Sequence, residues 1–133
     1  TGSTWKELAK QNFKFEADGS LAYTSRVSLP TSGWTTVASV ALTPGRWQVR
    51  GTLFCGFNAA TSAVWVSIDS GTPASFNGTS VNQVAAATTT VGSQGDIILQ
   101  DLTVTANTTY NLLGITFGGA VDGWGQITAV RID

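Results

Sequence analysis

Histidine is absent from the 133 residues, cysteine occurs once, and charged side chains make up only 11%. Each shortage removes a class of chemistry. Without histidine there is no ordinary proton shuttle and no usual base for activating a nucleophile. One cysteine, Cys55, can close no internal disulfide and build no thiolate metal cage. In its apolar surroundings it reads as a small buried hydrophobe. Ordinary domains carry about a quarter of charged residues, whereas this chain replaces them with threonine, serine, glycine, alanine and valine and has a formal net charge of −1. The lysines (Lys6, Lys10, Lys14) are confined to the N-terminal stretch and the arginines are scattered, so no cationic cluster points to nucleic acid. No run approaches the roughly 20 apolar residues of a membrane span, so no membrane insertion is expected. There is no phosphate-binding glycine loop, calcium loop or nucleophile elbow. Glu7 reads as a helix cap, and Asp18, Asp69 and Asp122 neighbour turn residues, which leaves no local carboxylate pair of the kind that hydrolyses glycosides. No enzyme, cofactor or metal is expected.

What the chain does contain is a succession of short β segments. Its length fits one domain. Thr4-Trp5-Lys6-Glu7 matches a capping box, and Trp5, Leu8, Ala9 and Phe13 follow at helical spacing, so a short N-terminal helix is expected. Asp18-Gly19 is a hairpin signal between Phe13/Phe15 and Leu21/Tyr23. Strands then follow over 20–29, 34–42, 46–57, 63–69, 81–91, 96–105, 109–117 and 124–132. Roughly eight to ten strands with a turn signal every 8–12 residues predict an all-β chain, an antiparallel β-sandwich of jelly-roll type. The expected division is a helix and connecting segment over 1–16 and a sandwich over 17–133.

The strand after Pro44-Gly45 organises the reading. Trp47, Val49, Gly51, Leu53, Cys55 and Phe57 alternate with Gln48, Arg50 and Thr52, which is the period of a strand with one face in a core. Gly51, on the apolar side, marks a bulge or a close neighbour. Phe54 falls out of phase. The segments 96–100 (Ile97 and Leu99 against Ile98) and 109–117 (Tyr110 and Leu112 against Leu113, Ile115 and Phe117) repeat that anomaly. The outer face of an isolated sandwich should be polar. Apolar residues on both faces of three strands therefore predict an outer face covered by another chain; the alternative is a mid-strand bulge that flips the phase.

Five tryptophans and loops rich in Asn, Gln, Thr and Asp suit carbohydrate, whose C–H faces stack on aromatic rings while amides and carboxylates bond the hydroxyls. Trp47 reads as core. Trp65 lies opposite Val64, Val66 and Ile68 and points to burial, in the chain itself or against a partner chain. Trp124 follows the glycine-rich stretch 118–123 and reads equally as core or as ligand platform. Connections carry binding because the scaffold holds still beneath them, so the candidate ligand residues are Asn77, Asp122 and Trp124. The alternative for each is structural: turn residues in the first two, a core seal in the third.

The stretch Leu42-Thr43-Pro44-Gly45-Arg46-Trp47-Gln48-Val49-Arg50-Gly51-Thr52-Leu53-Phe54 has further company in Thr109-Tyr110-Asn111-Leu112 and in the closing Gly125-Gln126-Ile127-Thr128-Ala129-Val130-Arg131-Ile132. Together they resemble the C-terminal head domains of bacteriophage tail fibres and related receptor-binding proteins. Those heads are in turn similar to the trimeric jelly rolls of tumour necrosis factor and complement-type domains. The resemblance runs from about Trp34 to the end and rests on loose motifs. It implies a homotrimer at a virion's fibre tip that recognises a host cell-surface glycan or protein, with residues 1–16 as the join to a shaft. It carries over no catalytic or binding residue. A structural or assembly trimer of a virion and a stand-alone carbohydrate-binding module are the alternative functions.

Overall fold

The computed structural model describes residues 16–57, 63–71, 81–85, 92–118 and 121–133. The expected N-terminal helix lies outside the described residues. Among the described residues nine strands form two antiparallel sheets. They are β1 (Glu16–Leu21), β2 (Val27–Ser28), β3 (Thr35–Leu42), β4 (Gly45–Phe57), β5 (Val64–Asp69), β6 (Val81–Ala85), β7 (Gly92–Val104), β8 (Thr108–Thr116) and β9 (Val121–Arg131). One sheet runs β1-β9-β4-β7, with β2 also paired to β9; the other runs β3-β8-β5-β6. Consecutive strands therefore repeatedly change sheet, and the result is the expected jelly-roll sandwich.

The alternation in β4 does what its period demands. Trp47, Val49, Leu53 and Cys55 are fully buried between the sheets, facing Leu42, Val64, Val66, Ile68 and Leu112 from the other layer. The Trp47 indole N–H donates to the Thr43 carbonyl at 2.8 Å, so its one polar group is satisfied in the core. Gly51 is a close-approach glycine: a Cβ there would lie 2.7 Å from Leu112 Cδ1 and 3.1 Å from Ile98 Cγ2. The missing side chain is the space that the facing sheet fills. Pro44-Gly45 carries the chain from one sheet to the other, and Gly45, at φ +149°, is already paired with Val104.

Two local expectations give way to tertiary structure. Asp18-Gly19 is not a hairpin turn but part of β1, which pairs with β9 through Asp18–Thr128 and Gly19–Ile127. Gly19 is required for another reason: a Cβ there would collide with the Ser39 carbonyl of β3. The strand expected over 20–29 is interrupted by a 3-10 turn, Tyr23–Ser25. Both halves still lie along β9, with Leu21 opposite Gly125 and Val27 opposite Gly123. Five residues (Ala22 to Arg26) thus loop out where β9 advances by one, Trp124.

The three doubly apolar strands divide between the sheets. In the four-stranded sheet, Leu113 and Ile115 of β8 point away from the main core yet are 4% and 2% exposed, buried within this single chain. Trp65, cross-strand from Ile115, meets Phe117 edge-on at 5.6 Å. β8 therefore needs no second chain to cover it. Phe54 of β4 and Ile97 and Leu99 of β7 are different: they share the outer face of the five-stranded sheet and are exposed.

Candidate functional site

The outer face of the five-stranded sheet can be laid out row by row from its register. Leu99, Arg50, Thr128 and Asp18 form one row across β7, β4, β9 and β1. Asp101, Gln48, Val130 and Glu16 form the next on one side, and Ile97, Thr52, Gln126 and Ser20 the next on the other. Beyond these, Phe54 stands beside Trp124. Among the described residues, the exposed large apolar side chains are Tyr23, Phe54, Ile97, Leu99, Val130 and Ile132, all on or bordering this face. The described part of the opposite sheet's outer face has none.

Asp122 and Trp124 both point to this outer face, two residues apart on β9. The Trp124 ring lies beside Gly56 of β4, where a Cβ would make ordinary contact with it at 3.4 Å. It stacks at 20° and 6.0 Å against Phe54 and meets Tyr23 edge-on at 4.9 Å. Tyr23 comes from the looped-out turn, and the Arg26 guanidinium lies 4.4 Å above its ring centre. Arg26 Nε donates to Asp122 at 3.2 Å, and the Ser28 hydroxyl donates to the other oxygen at 3.4 Å. One continuous cluster therefore runs Phe54, Trp124, Tyr23, Arg26, Asp122. It pins the turn onto the sheet and leaves Tyr23 55% exposed at the surface. Such a combination of aromatic body and cation–carboxylate rim has the chemistry to receive a polar ligand with an apolar face.

Asp122, expected on the connection 118–123, and Trp124, expected at the start of the strand that follows, both lie within β9. Asn77 lies outside the described residues. The strand ends that flank it, Asp69 and Val81, are at the opposite end of the sandwich from Thr116, which leads towards Asp122. Tyr23 and Arg26 had no local signal. Their role depends on the register change opposite Trp124, a contact between residues about a hundred positions apart.

Two other ionisable groups are shifted by their surroundings. Burial pushes the Cys55 thiol up to about 12, so it stays protonated and inert. Hydrogen bonds from the Arg131 side chain and the Arg46 backbone N–H hold the Asp133 carboxyl below the usual carboxylate range. Among the described residues no group of three His, Cys, Asp or Glu is placed to hold a metal ion.

The chain matches no protein-family model, and no curated protein matches it by sequence. Its fold has relatives among solved structures. The Eiger TNF of S. frugiperda superposes with a TM-score of 0.58 at 10% identity, over 90% of this chain and 92% of that one. The PRD1 vertex protein P5 superposes at 0.56 and 14% identity, over 90% of this chain and 97% of that one. At such identities the likeness is one of fold alone, the jelly-roll sandwich.

Proposed function

We propose that this chain is a non-enzymatic, homotrimeric head that binds a receptor, a glycan or protein on a host cell surface, at the tip of a phage tail fibre or similar particle. Residues 17–133 would form the head and residues 1–16 the join to a shaft. The observation that carries the proposal is the exposed apolar face of the five-stranded sheet. A protein with few charges leaves Phe54, Ile97 and Leu99 exposed on one face of a sheet, with Val130 on the same face beyond Arg50, Gln48 and Thr128, while burying comparable residues elsewhere. Large exposed apolar side chains gathered on one face favour an interaction site, and the jelly-roll likeness to a tumour necrosis factor and to a vertex protein favours self-association as its use.

Receptor contact is proposed for the Tyr23, Arg26, Asp122 and Trp124 cluster, at one end of that face and at the edge of the sheet. Labelled protein should adsorb saturably to cells of the true host, with competition by the receptor saccharide or by soluble receptor. Tyr23→Ala and Arg26→Ala should weaken adsorption while leaving the assembled mass unchanged. An assembled protein that adsorbs to no host cell would instead be an assembly trimer of a virion. That second reading is favoured by the engagement of Asp122 within its own chain.

A further inference from the structure

We infer that copies of this chain meet head to tail through two different patches of the outer sheet face: Leu99 and Arg50 of one copy enter the groove bordered by Glu16, Asp18 and Val130 of the next. The inference rests on the self-association proposed above and assigns its two halves.

The first patch is a projection. Leu99 is 63% exposed, the most exposed of the large apolar side chains among the described residues. Arg50, directly cross-strand from it, is exposed and makes no ion pair among the described residues. The second patch is a recess. An open groove of about 460 Å³ lies along β1 and β9, lined by Glu16, Ala17, Asp18, Thr128, Ala129 and Val130. Glu16 and Asp18 are exposed and likewise make no ion pair among the described residues. Val130 is exposed beside Glu16. One patch thus offers an apolar knob with a cation, and the other an apolar-edged recess with two anions.

The patches do not meet within one molecule. Arg50 and Asp18 occupy the same row but are separated by β9, about 10 Å at ordinary strand spacing, and no ion pair joins them. Leu99 is one strand further from the groove, about 14 Å. Between molecules the complementarity of shape, hydrophobicity and sign can be realised. A contact between two unlike patches is heterologous, and it terminates only by closing into a ring. Charge complementarity of this kind fixes register and suppresses wrong pairings. The Tyr23 and Arg26 cluster lies outside both patches and stays open to a receptor.

The test uses the full chain in sedimentation at micromolar concentration. The wild type should be a trimer. Arg50→Glu should raise the concentration at which it dissociates at least tenfold, and adding Asp18→Arg to that variant should recover most of the loss. Circular dichroism checks that each variant remains folded. As an independent readout, L99C combined with V130C should oxidise to covalently linked chains up to trimers, whereas either substitution alone should not. A wild-type trimer that is indifferent to Arg50→Glu and does not crosslink through this pair overturns the inference and leaves the trimer standing. A closed dimer overturns the head-to-tail contact, and a monomer overturns both this inference and the proposed trimer.

Discussion

Replacing Trp124 with alanine removes the ring that joins the looped-out turn to the sheet, and the structure sets the expected cost. Two aromatic contacts disappear, with Phe54 at 6.0 Å and with Tyr23 at 4.9 Å. Such pairs contribute about 0.5–1.5 kcal/mol each beyond their buried area. A fully buried tryptophan truncated to alanine costs about 3–5 kcal/mol. Trp124 is half-buried on a sheet surface and leaves no closed cavity, so the loss should fall near 2–3 kcal/mol. For a domain of this length each kcal/mol moves the melting temperature by roughly 3–5 °C, which predicts a fall of about 6–15 °C at fixed protein concentration. Trp124→Phe should lose about half as much, because it keeps a ring against Phe54. Circular dichroism melts measure both. A shift below about 1 °C would mean that the ring packs against nothing of consequence, and loss of cooperative unfolding would make it a core residue. Either result refutes the description of Trp124 as a surface latch.

Other perturbations separate the remaining parts of the account. Asp122→Ala frees Arg26, but the pair is partly exposed on both sides, so it should cost under about 1 kcal/mol and move the melt far less than Trp124→Ala. Gly51→Val should destabilise by about 1–3 kcal/mol through overpacking, since even its Cβ meets Leu112, and shortening Leu112 in the same chain should recover part of that. Cys55 should resist thiol reagents until the protein unfolds. Its thiol rises from an ordinary 9.0 to about 12. Above pH 9 the unfolded chain therefore gives up a proton that the folded chain keeps, and stability falls by about 1.4 kcal/mol per pH unit up to about pH 12. Denaturation across that range should show a shallower decline for Cys55→Ala than for the wild type.

Much of the fold was legible because a strand's period is two and local. The inward set of β4, from Trp47 to Phe57, follows from alternation alone, as do Val64, Val66 and Ile68 of β5 and Ile127 and Ala129 of β9. What escaped was whatever depends on a distant partner. Asp18-Gly19 has turn chemistry but lies in a strand, because the glycine answers to the Ser39 carbonyl of β3 rather than to its neighbours in sequence. The looped-out segment around Tyr23 exists to accommodate Trp124, and no pattern within 20–29 announces it. The doubly apolar strands carried a true signal about surface apolarity, but sequence could not distinguish β8, buried within its own chain, from β4 and β7, which open outward. The same limit applied to the site. Asn77, Asp122 and Trp124 are candidates by residue type and turn chemistry, while the arginine and tyrosine that contact Asp122 and Trp124 reach them only through the register of β9 with its two edge partners.

The central claim is that the apolar outer face is covered by further copies of the chain, and its mass in solution tests this most directly. Sedimentation equilibrium of the wild-type protein at micromolar concentration should give about three times the 13.8 kDa of one chain. A single species at 13.8 kDa, with Phe54, Ile97 and Leu99 still facing water, would contradict it.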